Sequence, residues 1–290
     1  SAFTWHGEGP DEHLGLMDLL CSYRDNLISR LPRSNPRGID LIQTIKIENT
    51  DLVIDFVGPG RLTRDYKQLV CSFDWRSFYE EWGGGTLVAE LKREFVGKYD
   101  YVLEDSRTGF NDISGVCTVH LPDVLVAVFT PGPQSQKGLV DALECIEANR
   151  FHLRPREPLH IVPLPCRVDR NVAREAFARK GYDSWFEDLL DSYFAKKVML
   201  LGGGWRPDAY FRSVAVEYFA AFVYEETLES LVHHIDDEGG NAWKYRNLLK
   251  VIDSVSPIEL SALALGSRKR LAMSSQSALV PRELPGAAFR

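Results

Sequence analysis

The run Val124-Leu125-Val126-Ala127-Val128-Phe129 constrains the fold more than any other stretch of this chain. Its consecutive apolar residues lie between the turn signals Pro122-Asp123 and Thr130-Pro131-Gly132-Pro133. A strand with one wet face alternates apolar and polar side chains, whereas a strand covered on both faces is apolar throughout, the habit of parallel sheets. A parallel neighbour needs a crossover of about a dozen residues or more, and the chain supplies one. Leu139, Ala142, Leu143 and Ile146 fall at helical spacing, with Ser135 as the N-cap. Leu159-His160-Ile161-Val162-Pro163-Leu164 then reads as the next strand, leaving through Pro165-Cys166-Arg167-Val168-Asp169. Strand, helix, strand at this spacing predicts an α/β fold: a three-layer, mostly parallel sheet with helices on both faces.

Upstream, Leu16, Leu19, Leu20, Tyr23 and Leu27 line one face of a helix that Pro32, Asn35, Pro36 and Gly38 interrupt. Ile42 to Ile47 alternates as a strand. Leu52 to Val57 reads as a second, more buried strand ending at Gly58-Pro59-Gly60, which is either a plain strand exit or a ligand loop. Tyr66 to Trp82 reads as one packed helix, and the acids Asp74, Glu80 and Glu81 among its rings count against base stacking. Gly83-Gly84-Gly85 ends it before a helix through Leu87, Leu91 and Phe95. Downstream, 171–200 reads as helical, Val214 to Tyr224 as holding a last strand, and Glu225 to Ile252 as helical with a break at Gly239-Gly240. A domain of residues 1–266 is followed by a polar tail, 267–290, rich in Arg, Lys, Ser, Gln and Pro.

Composition narrows the function classes. A net charge of −7 over 290 residues gives no bulk attraction for nucleic acid. Nowhere is there an apolar run near the roughly 18 to 20 residues that span a bilayer, so a cytoplasmic protein is expected. The five cysteines are odd in number and scattered, with no metal-ligand spacing, which suits reduced thiols. His233-His234 with Asp236-Asp237 is a weak metal candidate, because adjacent helix positions do not converge. Gly202-Gly203-Gly204 lacks the following Lys-Ser/Thr of a phosphate loop, and no nucleophile elbow is present.

Tyr99-Asp100-Tyr101-Val102-Leu103 has strong strand preference and runs into Glu104-Asp105-Ser106-Arg107-Thr108-Gly109. An apolar strand that carries an aspartate to its end, with a glycine four residues on, is the form of a metal-facing nucleotide switch; it is equally the form of a parallel strand and a tight turn. Thr130 to Ser135 and Pro165 to Asp169 are two later strand exits, and in an open parallel sheet ligands bind outside the carboxyl ends of strands near a switch point.

With residues 99–109, Leu121 to Val126, Pro131, Gln134-Ser135, Gly15 to Leu20, Asp74-Trp75 and Tyr224-Glu225-Glu226, the chain resembles the MinD/ParA class of deviant-Walker P-loop ATPases, in particular a bacterial subset with a KGGVGR-type loop. The resemblance spans roughly residues 14–255, and its specific part is 99–135. It implies ATP and Mg²⁺ as cofactors, with Asp105 organising the metal's water shell and Gly109 offering a backbone N–H near the γ-phosphate. Ser106, Arg107 and Thr108 would form the mobile switch, and Pro165, Cys166 and Arg167 would frame the base. It also implies a homodimer or a hetero-complex with a protein partner in a regulatory or defence system.

Two features depart from the family. Its N-terminal strand and P-loop would precede residue 14, and neither a KGG nor a Gly-x-x-x-x-Gly-Lys-Ser/Thr occurs here. Without those N–H groups and that lysine, ATP hydrolysis by this chain alone is not expected; the alternative is a non-catalytic scaffold or sensor that keeps the fold. Second, Glu104 stands where the family has an aliphatic residue, and a carboxylate there needs a partner or an exposed strand end.

Overall fold

The structure, a computed structural model, describes residues 3–5, 13–29, 37–47, 51–61, 63–106, 115–153, 159–169, 192–202, 204–220, 237 and 240–255. All of them belong to one unit, residues 1–256. The expected switch residues Arg107, Thr108 and Gly109, His233-His234 and the 267–290 tail lie outside the described residues, as do 170–191 and 221–236.

The first half builds around an antiparallel sheet of order β1 (Phe3–Trp5), β2 (Ile42–Ile47) and β3 (Val53–Val57). The alternation of β2 holds: Gln43, Ile45 and Ile47 are buried, while Thr44 and Lys46 face out. The register pairs Ile45 with Ile54 and Thr44 with Asp55. The expectation that Leu52 to Val57 is a buried strand is corrected. Only the strand is present, and Val53, Ile54 and Phe56 are exposed because β3 is the edge of this sheet as described.

Helix α1 (Leu16–Ser29) buries Leu19 and Leu20 of the predicted face together with Met17, while Leu16 and Leu27 are exposed. The expected single helix over Tyr66–Trp82 is two: α2 (Tyr66–Ser72) and α3 (Trp75–Glu80). Phe73 leaves α2 in extended backbone, and Asp74 restarts the chain by accepting the Ser77 N–H at 2.9 Å, a side-chain N-cap. Phe73 and Phe78 are buried together, their ring centroids 5.7 Å apart. A Cβ at Gly84 would fall 2.3 Å from the Phe78 ring, so α4 (Gly84–Lys98) can begin against α3 only at glycine. With Leu41, Leu87, Val88 and Leu91 these residues form one core.

The second half builds on parallel strands. β4 (Val124–Phe129) pairs with β5 (His160–Pro165), Val124 opposite His160 through Phe129 opposite Pro165, across the crossover helix α5 (Pro133–Leu153). β5 is buried from Ile161 to Pro165, whereas β4 is only partly covered, with Val128 57% exposed. α5 starts at Pro133, whose missing N–H costs nothing at a helix start. Ser135 is therefore inside the first turn, and its expected N-cap role is corrected: its Oγ accepts the Thr130 N–H at 3.2 Å.

Helices α6 (Ser192–Leu200), α7 (Pro207–Val214) and α8 (Asn241–Val255) complete this second core. Phe129 and Phe194 stack at 4.4 Å, and the buried Tyr210 hydroxyl donates to the Pro163 carbonyl at 2.8 Å. Of the last strand expected within Val214–Tyr224, the described part, 214–220, holds one parallel bridge, Glu217 to Val168, and Val214 still closes α7; 221–224 lie outside the described residues. The protein is thus mixed α/β, with one small antiparallel and one small parallel sheet among the described residues. Among the described residues no helix is long and apolar enough to cross a membrane.

Candidate functional site

At the carboxyl ends of the parallel strands the chain exits converge. Cys166 N–H donates to the Phe129 carbonyl at 2.8 Å, joining the two exits directly. The segment 216–218 runs beside the second exit: Val216 N–H reaches the Pro165 carbonyl at 2.9 Å, and Val168 N–H and Tyr218 N–H close the ladder, each at 3.1 Å. Three parallel chain ends therefore line up over 129–131, 165–168 and 216–218.

Each exit has its own support. Gln136 is buried and its amide donates to the Pro131 carbonyl at 2.8 Å, which fixes the turn after β4. Pro165 is buried at the end of β5 and Cys166 is half-buried, its thiol pushed up to about 11 by burial. A thiol so protonated is a poor nucleophile. Arg167 takes φ +57°, rare for a residue with a side chain, and its exposed guanidinium lies 5.2 Å from the Tyr218 ring centroid.

The third segment is held by residues that sequence spacing did not single out. Asn241, at the start of α8, accepts the Glu217 N–H at 2.8 Å and donates to the Glu217 carbonyl at 2.9 Å. Buried Lys244, one turn on, pairs with the Glu217 carboxylate at 2.8 Å. Asn-x-x-Lys opening an amphipathic helix is a common surface pattern, and its partner is 24 residues away, so only the fold reveals it.

The opening switch stretch is elsewhere. Tyr99 to Ser106 forms no strand, which corrects the strand expected there: no described segment pairs with it, Val102 is 52% exposed and Leu103 91%. β preference without a neighbouring edge does not make a strand. Its ends are tied by side chains: the Tyr99 hydroxyl donates to Asp55 and the Tyr101 hydroxyl to Asp253 in α8.

Glu104 is exposed at this position; desolvation pushes its carboxyl above the usual carboxylate value, against the opposing influence of Cys117 and Lys92. Cys117 belongs to a π-helical turn, Val116–His120, and is pushed up to about 12 by burial first, then by Glu104 and by Asp105. The Tyr79 hydroxyl is raised mainly by burial, then by Cys117 and Glu104.

This cluster sits at the entry to β4. Lys92 pairs with Asp123 and donates to the Leu121 carbonyl, and Arg150, near the far end of α5, donates to the Val119 carbonyl. Asp105 is exposed, and its charge reaches Cys117 in the turn that precedes β4. Pro165, Cys166 and Arg167 are at the exit, about 17 Å along the strand at 3.3 Å per residue. Of the predicted site residues, the structure brings those three together with the Thr130–Ser135 turn; Asp105 and Ser106 lie in the segment 99–106, outside both strands.

The other loop candidate is accounted for by the fold. The carbonyls of Gly58 and Pro59 accept the N–H groups of Leu16 and Met17, each at 2.9 Å, so Gly58-Pro59-Gly60 caps α1. Asp18 locks the joint by accepting from the backbone N–H of Gly15 and of Arg61. Among the described residues no group of three or more His, Cys, Asp or Glu is arranged to hold a metal ion. No protein-family model, curated protein or solved structure matches this chain.

Proposed function

We propose that this chain is the core of a MinD/ParA-like nucleotide switch, in which ATP bound across the strand exits controls association with a second copy or a protein partner, in a bacterial regulatory or defence setting. The observation that carries the reading is the direct joining of the two parallel exits, Cys166 N–H to the Phe129 carbonyl, with 216–218 alongside. In open parallel α/β sheets ligands bind in the crevice outside the carboxyl ends of the strands. Helices packed on β4 and β5 through one core, with a parallel third segment, support the three-layer sheet that such a protein requires.

The base side of the reading suits the residues present: Pro165, Cys166 and Arg167 form a half-buried ledge with the Tyr218 ring beside it. The metal side rests on Asp105, which is exposed and whose charge reaches Cys117 in the turn before β4. No hydrolytic step follows from this arrangement. The position of Asp105 outside both strands favours the second reading, a scaffold or sensor that keeps the sheet without turnover.

Thermal melting of the protein with Mg·ATP separates the two. Ligand at about a hundred times its Kd stabilises by roughly 2.7 kcal/mol, a rise of roughly 5 to 10 °C in a domain of this size. The switch reading expects that rise, reduced by Arg167→Ala. No rise at saturating nucleotide leaves the scaffold reading standing and ends the switch.

A further inference from the structure

The outer edge of β3 presents an exposed apolar run. Val53 is 61% exposed and Ile54 47%, and among the described residues no segment pairs with this edge. Edge strands are commonly blunted by lysine, proline or a bulge, and Val53–Val57, paired with β2 in unbroken register, has none of these. Its one charge, Asp55, is committed within the chain. It accepts from Thr44 Oγ1 at 2.7 Å, from the Tyr99 hydroxyl at 2.5 Å and from Lys98 Nζ at 3.4 Å.

The ladder fixes which backbone groups the edge offers. Ile47 N–H donates to the Leu52 carbonyl at 3.0 Å, and Ile45 pairs with Ile54 in the same register. Residues along an antiparallel strand turn their N–H and C=O alternately to one side and the other, so those of Ile54 and Phe56 point to β2. Those of Val53, Asp55 and Val57 point outward. Cross-strand partners share a face of the sheet; Ile54 therefore lies on the face of buried Ile45, and Asp55 on the opposite face with Thr44.

We propose that β3 pairs antiparallel with β3 of a second copy about a two-fold axis at Ile54, joining the two three-stranded sheets edge to edge. Phase and charge together select that register. Backbone bonds form only between outward-pointing residues, so three registers overlap most of the strand: Val53 opposite Asp55, Asp55 opposite Asp55, or Val53 opposite Val53. The second sets aspartates against each other, and the third sets Asp51 against Asp55; like charges directly opposite are destabilising. Only the first avoids both, and it brings Ile54 to Ile54 and Leu52 to Phe56. Lys46, the cross-strand neighbour of Val53, then stands two strands, about 10 Å, from the second copy's Asp55. Such an isologous contact closes at two copies, and one short strand makes it weak and concentration-dependent. The pairing needs no nucleotide and stands apart from the strand exits.

The test is sedimentation velocity of the whole chain from about 5 to about 500 μM, a range that brackets weak association, together with crosslinking at position 54. The unsubstituted protein should shift from monomer toward dimer across that range. Val53→Pro removes an outward N–H and no bond to β2, and Ile54→Lys puts a charge on the axis; each should weaken association about tenfold or more. Leu200→Lys, on an exposed position of α6, should leave it unchanged. Opposed residues of a non-hydrogen-bonded pair are close enough for a disulfide. Ile54→Cys treated with oxidised glutathione should therefore give a dimer linked at position 54 by peptide mapping, and Val53→Cys, opposite the second copy's Asp55, should not. A monomer at every concentration, an association that survives both edge variants, or one that Leu200→Lys also abolishes overturns the proposal. So does crosslinking at position 53 in preference to 54. Where circular dichroism shows Val53→Pro unfolded, Ile54→Lys and the crosslink at position 54 decide.

Discussion

Replacing Asn241 by Ala should detach the third parallel segment from the strand exits. Asn241 is 2% exposed and holds Glu217 by two bonds, accepting its N–H at 2.8 Å and donating to its carbonyl at 2.9 Å. Alanine removes both at once. A net hydrogen bond contributes about 1 kcal/mol, and a buried group stripped of its partner costs about 1 to 3 kcal/mol. Glu217 is half-buried, so water offsets part of the loss, and the two bonds together come to roughly 2 to 3 kcal/mol. Asn241→Asp should cost at least as much, since it removes the donor and brings a second carboxylate toward the Glu217–Lys244 pair. The assay is urea unfolding at fixed pH, read as a lower midpoint with an unchanged slope. Leu249→Ala, on an exposed position of the same helix, serves as the control and should change stability by about 0.5 kcal/mol or less. An Asn241→Ala protein within about 0.5 kcal/mol of the parent would refute the reasoning that this amide secures the 216–218 exit.

Two further outcomes follow from local geometry. Gly15→Ala brings a Cβ to 2.3 Å from Gly60 N and 2.4 Å from the Gly58 carbonyl, so the turn that caps α1 must shift, at a cost of about 1 to 3 kcal/mol by urea unfolding. Asp55 is held below the usual carboxylate range by the Tyr99 hydroxyl first and by Thr44 next. A carboxyl depressed in the folded state contributes stability above its unfolded pKa, near ~3.9, and loses it as pH falls through the lower folded value. Stability should therefore drop below about pH 4, and Tyr99→Phe should raise the Asp55 pKa in an NMR titration and flatten that part of the profile. An Asp55 titration unchanged by Tyr99→Phe would count against the bond.

Where a local pattern and its tertiary neighbour agree, the sequence was readable. β2 alternates because only one of its faces meets the core, and the helices read over 16–27 and 87–95 form, burying Leu19, Leu20, Leu87 and Leu91 of their spaced residues. β4 and β5, apolar through their lengths, pair in parallel across a helix. The misread stretches share a cause: β preference cannot tell whether a partner edge exists. Leu52 to Val57 forms a strand but an exposed one, and Tyr99 to Leu103 forms none. The break at Phe73-Asp74 was masked by aromatic density, although Asp74 three residues before Ser77 is itself a helix-start signal. At the site, the strand exits were legible because they are contiguous in sequence. The Asn241–Glu217–Lys244 clamp was not, since it joins residues that only the fold makes neighbours.

The central claim is that nucleotide binds at the joined exits of β4 and β5. Photo-crosslinking with 8-azido-ATP and Mg²⁺, followed by peptide mapping, tests the place as well as the fact of binding. The account predicts label on Pro165–Arg167 or Tyr218, competed away by unmodified ATP and diminished by Arg167→Ala. Label confined to other segments, or none that ATP competes for, would contradict it.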